Sequence, residues 1–510
     1  MDLDADVLVI GTGLSESIAS AALAKAGLKV VHIDPNTYYG ADEASLTLDE
    51  LTQWSSGQTG DNHSRFVSVS SLGAPPPRPK SYSVSLSPSV IPARGPLIDV
   101  LIDSGVSRYC AFKLCEKIYI CDDETIKSIP TSKEEIFKSR DLSLLDKRRI
   151  MRFLTFASGE YENSPDIQGH ESKTLTTFLE EVFSLSHELS TELALSLALC
   201  QSYDENVIVS LQRVRAHLKS FGRYGSSPFL FGHYGGLGEL AQGFCRICAV
   251  SGGTYVLGHG CKEFKAKEED DRRTFTLKLE NFPHDITARV ILASPDFIHS
   301  FVAPNEGLIE RAAQACCIAI VDGPITIGSK RDNKQDSDLD IEAQVSPIDS
   351  ALLVFPPETF KCSLRHSAVH VMINGEETMS CPSGKALIYL STEIYNTSEV
   401  NSPELNAETI LLPYFEALET KILGGISLKG SHITFYMKKT RSYSELFLTS
   451  LKEKGILVFQ DLPENIVSKG NAAAEMGRKK FEDTLAYLGN LSADTQFWPP
   501  LPSSWNEDDI

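Results

Sequence analysis

Apolar positions near the start of the chain follow first a strand period and then a helix period. Residues 6–34 predict a buried strand, a glycine turn, a helix and a second strand that ends at Asp34. Apolar residues at Ile18, Ala22 and their neighbours recur at helical spacing, and Gly27 ends this helix. The succession of strand, helix and strand predicts a βαβ unit, and with it an α/β fold that contains a parallel sheet.

A long stretch of helical periodicity interrupts this pattern. Apolar residues recur at helical spacing from about residue 132 to residue 220, and strands with short helices resume after Phe221. A block of helices between α/β segments predicts a second domain. We therefore predict domain I in two parts (residues 1–123 and 222–490), an all-helical domain II (124–221) and a proline-rich acidic tail (491–510). Residues 56–96 predict a surface excursion, and 329–342 predict a charged loop.

The composition limits the classes of partner. The chain has 510 residues, of which 42% are hydrophobic, and a formal net charge of -20. This charge argues against nucleic acid as a partner and against a polybasic membrane patch. The 11 scattered cysteines indicate reduced thiols, and the lone CxxC of Cys245 and Cys248 lacks the second pair of a zinc site. Without a signal peptide or an apolar span, we expect a cytoplasmic protein.

The glycine turn in "VLVIGTGLSES" raises the question of nucleotide binding. Gly11 and Gly13 fill the first two positions of a dinucleotide motif, and Asp34 lies near the place of a ribose-binding carboxylate. Glu16 stands where the third glycine is expected, so it places negative charge beside the pyrophosphate position. A second cofactor loop also looks lost, because Ser294 and a proline replace its Thr-Gly. The βαβ prediction is strong, whereas neither a flavin nor a metal is expected to bind.

Longer blocks of the chain resemble a known family. The segments "HIDPNTYYGADEAS" (32–45), "SRYCAFK" (107–113), "GRYGSSPFLFGHYG" (222–235) and "YGGLGELAQGFCRICAVSGGTYVL" (234–257) are similar, in this order, to Rab GDP-dissociation inhibitors and Rab escort proteins. The resemblance implies an FAD-oxidase-like, Rossmann-type domain I without flavin, beside a helical domain II. It also implies a non-catalytic, monomeric protein that binds Rab GTPases and carries their geranylgeranyl groups.

One stretch favours the escort branch of this family. In escort proteins a phenylalanine and an arginine bind the α subunit of type II geranylgeranyltransferase, and Phe137 and Arg148, 11 residues apart, match them. The alternative for Phe137 is a core position at a helix end, although its charged neighbours favour exposure. We expect a protein that presents GDP-bound, unprenylated Rab to the transferase and delivers it to membranes through transient peripheral contact. A Rab GDP-dissociation inhibitor and a flavin-dependent oxidase remain the alternatives.

The resemblance also assigns residues to the two Rab-binding surfaces. The Rab platform of the family maps onto Tyr39, Glu239, Arg246 and Val256. Without the family, a packing tyrosine and a solvated helix face would be the simpler interpretations of the first three. The residues expected to bind the Rab C-terminus are Arg108, Tyr109, Phe112, Arg223 and Tyr224. Core packing is the alternative for Tyr109 and Phe112.

The lipid requires an apolar shelter, which we expect between the helices of domain II. Burial of a geranylgeranyl chain contributes about 0.8 kcal/mol per methylene-sized unit. The residues expected to line this pocket are Leu144, Leu145, Phe153, Phe156, Phe178 and Leu195. Ordinary core packing is the alternative for most of them.

Overall fold

The protein is known from a computed structural model. It describes residues 3–57, 64–121, 126–128, 133–139, 142–269, 272–302, 306–327, 347–360, 367–394, 406–424, 430–489 and 496–499. The predicted charged loop at 329–342 and nearly all of the predicted tail lie outside the described residues.

The described residues contain twelve α-helices, named α1 to α12 in chain order. They are Leu14–Lys25, Leu48–Gly57, Pro96–Ser104, Lys133–Lys138, Leu144–Ser158, Leu175–Phe183, His187–Leu197, Val207–Ser220, Leu237–Val250, Ala407–Ala417, Glu445–Glu453 and Lys469–Leu488. No helix in this part of the chain has both the length and the apolar character that crossing a bilayer requires.

The strands of the same residues are named β1 to β23. They are Leu3–Ile10, Val30–Asp34, Ser45–Leu46, Phe66–Leu72, Val84–Ser85, Ile91–Pro92, Phe112–Leu114, Lys117–Cys121, Ile126–Ser128, Phe229–Gly232, Thr254–Leu257, Cys261–Glu269, Arg272–Leu279, Asp285–Ala293, Leu308–Asp322, Ile325–Ile327, Pro347–Ile348, Ser350–Phe355, Val369–Asn374, Lys385–Ile394, Leu423–Gly424, His432–Tyr443 and Ile456–Val458.

The first sheet has the order β11-β2-β1-β14-β13-β12, with β23 also paired to β14. Strand β1 pairs in parallel with both β2 and β14. It reads as a continuous apolar run because both of its faces are buried: Val7 and Val9 belong to one core, Leu8 and Ile10 to the other. This sheet confirms the predicted α/β fold of the Rossmann type.

Helix α1 is the centre of the helical layer on this sheet. It packs against α9 and α12, and every residue from Leu14 to Ala24 is buried. Its small residues allow this close approach: a Cβ at Gly477 of α12 would lie 2.7 Å from Cγ2 of Ile18. Helix α1, which follows the glycine loop, is therefore enclosed by packing.

A second sheet has eight strands in the order β4-β22-β15-β20-β19-β18-β8-β9, all antiparallel except the β18–β8 pair. Helix α10 packs on one face. The other face carries residues from 44–54 and 82–90, including Trp54 and Tyr82. The predicted surface excursion at 56–96 is therefore wrong for its second half, because Tyr82, Val84 and Val90 are buried in this core.

Helices α4 to α8 form a unit with its own core. Polar side chains cap the starts of the last four: Ser143, Thr174, Ser186 and Asn206 each accept a hydrogen bond from the first turn of the helix that follows. The predicted start at residue 124 precedes these helices, since β9 (Ile126–Ser128) belongs to the second sheet.

Candidate functional site

The glycine loop joins β1 to α1 at the carboxyl edge of the first sheet. Gly11 has a φ of +99°, and a Cβ there would lie 2.9 Å from the Cβ of Ser294. The loop also bonds to the neighbouring strand, because Nε2 of His32 lies 2.5 Å from the carbonyl oxygen of Gly11. The turn itself thus keeps the shape for which a dinucleotide motif uses its first glycine.

Two carboxylates occupy the space in front of the helix. The backbone N–H of Leu14 donates to Oε2 of Glu43 over 3.1 Å. A Cβ at Gly13 would lie 2.6 Å from Oε2 of Glu16 and 3.1 Å from Oε2 of Glu43. Burial raises the pKa of Glu43 to about 7, and burial together with the charge of Glu43 raises the pKa of Glu16 well above its usual value. The start of α1 therefore has one backbone donor bonded within the chain and a second carboxyl group close beside it.

Asp34 is also committed to the protein itself. Its carboxylate accepts hydrogen bonds from the backbone N–H and the hydroxyl of Thr12 (2.8 and 2.7 Å). It accepts two more from the backbone and side chain of Asn36 (2.8 and 2.9 Å). The side chain is fully buried, and burial raises its pKa to about 6. It is not directed at a ribose, contrary to the role that its position in the motif suggests.

Beside the loop lies a buried cluster of opposite charges. The guanidinium of Arg65 donates to Asp42, Asp296 and Asp461 over 2.6, 2.8 and 2.8 Å. Lys438 lies 3.3 Å from Asp42. The helix start has two buried carboxyl groups beside it and a backbone donor already bonded, and Arg65 is bonded to three carboxylates, so this site does not fit an FAD pyrophosphate, which needs free backbone donors.

Tyr39, Glu239 and Arg246 lie together on one surface. With Tyr109 and Tyr255 they line a cavity of about 400 Å3 above α9. The guanidinium carbon of Arg246 lies 4.6 Å from the ring centre of Tyr109, and the rings of Tyr39 and Tyr255 meet edge to face at 5.7 Å. Burial raises the pKa of Glu239. We call Tyr39, Tyr109, Glu239 and Arg246 the platform residues.

Val256 differs from the other residues assigned to the platform. It is only 8% exposed and packs in the core of the first sheet. Its side chain therefore lies in the core on the opposite face of the sheet from Tyr255 and α9, and it is not available on the platform surface. Of the adjacent residues Tyr38 and Tyr39, Tyr38 packs inward and Tyr39 lines the cavity.

The residues expected to bind a Rab C-terminus do not form one cluster. Tyr109 belongs to the platform cavity, and Arg108 beside it is exposed. Phe112 is half-buried against the first core. Arg223 and Tyr224 lie after α8, where the guanidinium is 5.3 Å from the tyrosine ring. The structure thus separates a pair near the platform from a pair beside the helical unit.

An apolar surface stands out on the helical unit. Phe137 on α4 is 63% exposed, and Leu144 and Leu145 in the first turn of α5 are 79% and 55% exposed. The ammonium group of Lys147 donates to the carbonyl oxygens of Phe137 and Ser139 over 3.0 and 2.6 Å, which fixes α4 to α5. Arg148, on the same helix as the leucines, is also exposed.

The six residues expected to line a lipid pocket have three different environments. Leu144 and Leu145 lie on this surface. Phe153 and Phe178 are fully buried, and Phe156 packs with Phe178 at a ring distance of 5.7 Å. Leu195 belongs to a different core, because it packs against the second sheet rather than among the helices. Sequence periodicity could not separate these environments, since each face of a helix has a different neighbour.

A family model described as GDP dissociation inhibitor matches residues 1–339. The chain belongs to this GDP dissociation inhibitor family. The chain is 31% identical over 431 residues to the Rab proteins geranylgeranyltransferase component A of Saccharomyces cerevisiae, covering 82% of the chain and 65% of that relative. The chain therefore spans about two thirds of the length of this relative.

Two further family members are similar over most of the chain. The Rab GDP-dissociation inhibitor of Saccharomyces cerevisiae is 28% identical over 463 residues, which covers 88% of the chain and 92% of that protein. The crystal structure of a Rab GDI from Plasmodium falciparum superposes with a TM-score of 0.68 at 19% identity, covering 97% of the chain and 100% of the structure. This last similarity shows the fold alone.

In this family member, sequence reasoning missed three groups around the predicted sites. Glu43 bonds to the start of α1, and Arg65 bonds to the carboxylates of the neighbouring charge cluster. Val250 is 81% exposed one turn beyond Arg246 on α9. Val250 could have been found, because it lies four residues after Arg246 and hence on the same helix face. Arg65 could not, because its partner Asp461 is 396 positions away along the chain.

Proposed function

We propose that this chain is a Rab escort protein. It binds GDP-bound, unprenylated Rab GTPases through the platform residues and presents them to the α subunit of type II geranylgeranyltransferase through the helical unit. It then shields the attached geranylgeranyl group and delivers the Rab to a membrane through transient peripheral contact. In this proposal the chain itself is a cytoplasmic monomer that performs no covalent chemistry and has no flavin cofactor.

The exposure of Phe137 is the observation that carries this proposal. Phe137 lies with Leu144 and Leu145 on an exposed apolar surface, and such a surface is typical of an interaction site. Arg148 is exposed on the adjoining helix, at the spacing that escort proteins use. An aromatic side chain with a nearby arginine is the composition typical of interface hot spots. The hydrogen bonds from Lys147 to the carbonyl oxygens of Phe137 and Ser139 connect α4 to α5 and support a rigid surface around Phe137.

The platform supports Rab as the cargo. Arg246 and Tyr109 hold each other in place through a cation–π contact of 4.6 Å, so little conformational entropy remains to be lost on binding. The formal charge of -20 favours the capture of a basic C-terminal segment. Phe153, Phe156 and Phe178 are the proposed lipid-facing residues, and they accept a geranylgeranyl chain only if the helices around them move apart.

A Rab GDP-dissociation inhibitor is the second candidate. The similarity to the yeast inhibitor favours it, because the chain covers 92% of that protein but only 65% of the yeast component A. The two functions share Rab binding and differ at Phe137. An inhibitor extracts prenylated Rab from membranes and does not need the transferase.

A prenylation assay separates the two. Purified Rab-GDP, the type II transferase and labelled geranylgeranyl diphosphate are mixed with this chain, and label in Rab is measured. We expect label only when the chain is present, and we expect Phe137→Ala to bind the transferase roughly thirtyfold more weakly, as a hot-spot loss of about 2 kcal/mol implies.

Leu446→Ala is the matched control, because Leu446 is 87% exposed on α11, outside the helical unit. It should prenylate Rab like the unmodified chain. Extraction of prenylated Rab without any support of prenylation would identify an inhibitor. Equal activity of Phe137→Ala and Leu446→Ala would refute the role of Phe137.

A further inference from the structure

A second cavity lies at the carboxyl ends of β1, β2 and β14, on the inner side of the loop that carries Tyr39. Its volume is about 410 Å3, within the range of small-molecule sites. Aromatic side chains supply much of its wall, namely Tyr38, Trp54, Phe66, Phe297 and Phe301. The carboxyl edge of a parallel sheet is where α/β folds bind their ligands. What this cavity binds can be inferred without the proposed escort function.

The charges that face this cavity neutralise one another. Arg65 lines it, and all three of its guanidinium nitrogens donate to carboxylates. Asp42 lies within 3.3 Å of Lys438 as well as bonding to Arg65, and Asp296 bonds to Arg441 over 3.0 Å. A charged ligand would find no counter-ion that is not already used, so an uncharged ligand fits best.

Phosphate is excluded by the neighbouring glycine loop. The backbone donor of Leu14 already bonds to Glu43, and the carboxylate of Glu16 lies beside it. A phosphate placed there would have to give up its hydration beside two buried carboxyl groups that already occupy the space, and would find the N–H of Leu14 already bonded. The cavity thus has space for an aromatic ring system, whereas the side chains of Glu16 and Glu43 fill the adjoining position where a phosphate would bind.

The remaining polar groups suit the edge of a heterocycle. Nδ1 of His259 lies 2.8 Å from the carbonyl oxygen of Glu280, which can only accept, so this nitrogen carries the proton. His259 lines the cavity, and this tautomer leaves its other nitrogen, Nε2, as an acceptor. The guanidinium plane of Arg65 and the aromatic rings offer faces on which a flat molecule can stack.

We propose that this cavity binds a flat, uncharged heteroaromatic molecule without phosphate groups, of the size of a nucleoside or of riboflavin. Its position couples it to the platform. Tyr38 lines the cavity while the next residue, Tyr39, lines the platform, and the segment from Gly258 to Cys261 follows directly after β11. A ligand in the cavity therefore contacts the loops that position the platform.

The test uses two matched pairs of probes, adenosine with AMP and riboflavin with FMN. Each pair differs by one phosphate, and binding to the full chain is measured by calorimetry. We expect at least one phosphate-free probe to bind saturably. Its phosphorylated partner should bind at least roughly tenfold more weakly, because buried carboxyl groups occupy the place that the phosphate would need. Failure of both adenosine and riboflavin to bind, or equal affinity within a pair, overturns the proposal.

Two further measurements locate the bound probe. Cys261→Phe fills the cavity and should abolish binding, whereas Lys265→Phe, on an exposed position of the same strand, should not. A saturating probe should also slow alkylation of Cys261 in the unmodified chain, read by mass spectrometry against half-buried Cys110. This second readout needs no variant. Equal alkylation of Cys261 with and without a bound probe would place the probe elsewhere and overturn the assignment.

Discussion

Replacement of Glu43 by glutamine should stabilise the protein at neutral and alkaline pH. Glutamine keeps the oxygen that accepts the N–H of Leu14 but removes a carboxyl group that is 7% exposed. Burial, followed by the charge of Asp42, raises the pKa of Glu43 from 4.5 to about 7. Each unit by which the pKa is raised corresponds to about 1.4 kcal/mol. Ionisation of Glu43 therefore costs about 3 kcal/mol more in the folded chain than in the unfolded chain.

The sign of the effect follows from proton binding. Below about pH 4.5 the carboxyl group is protonated in both the folded and the unfolded chain, so it costs nothing. Between about pH 4.5 and 7 the folded chain binds the proton more tightly, and stability therefore falls as the pH rises. The glutamine variant lacks this slope. The free energy of unfolding of the variant should therefore exceed that of the unmodified chain by an amount that grows between about pH 4.5 and 7 and reaches about 3 kcal/mol above pH 7.

Urea unfolding followed by tryptophan fluorescence, at several pH values from 5 to 8, measures this difference. Glu475→Gln is the matched control, because Glu475 is exposed on α12. Its unfolding curves should follow those of the unmodified chain at every pH. A Glu43→Gln variant that is equally stable or less stable at pH 8 would show that Lys438 and Lys469 compensate the buried charge, and would refute the reasoning.

Four other outcomes follow from the same contacts. Arg65→Met should lower the free energy of unfolding in urea by roughly 3–5 kcal/mol, because it leaves buried carboxylates without their partner. Gly477→Ala should cost roughly 1–3 kcal/mol by thermal unfolding, because its Cβ would lie 2.7 Å from Ile18. Thr174→Ala, which removes the cap of α6, should cost about 1 kcal/mol in the same assay. Glu16→Gly, which restores the glycine motif, should still show no flavin absorbance after dialysis with FAD, because Glu43 keeps its place.

The parts of the fold that local patterns specify were predictable. The βαβ unit follows from its apolar periods and from Gly11, whose left-handed φ the turn requires. The helices of the inserted unit follow from their spacing and from caps such as Ser143. The eight-stranded sheet was not predictable in this way, because its register pairs β4 with β22 across more than half of the chain.

The candidate sites show the same division between local and distant information. Glu239 and Arg246 lie seven positions apart on one helix, and the structure places them on one surface as their spacing predicts. Leu144 and Leu145 have an apolar pattern typical of a core, yet they are exposed because they fill the first turn of α5, beyond the neighbouring helices. A pattern along one helix cannot reveal where its neighbours end.

The pairing of β1 bears on how the protein is made. Its first neighbour, β2, follows within 30 residues, but its second neighbour, β14, begins only at Asp285, and α12, which covers α1, begins at Lys469. During synthesis on the ribosome, the strand and the helix that cover β1 and α1 become available only after nearly the whole chain has emerged. A premature stop codon just before residue 469 would leave every proposed partner-binding residue in place and still yield a product that lacks α12 and cannot complete the helical layer on its first sheet, which marks it for chaperones and proteolysis.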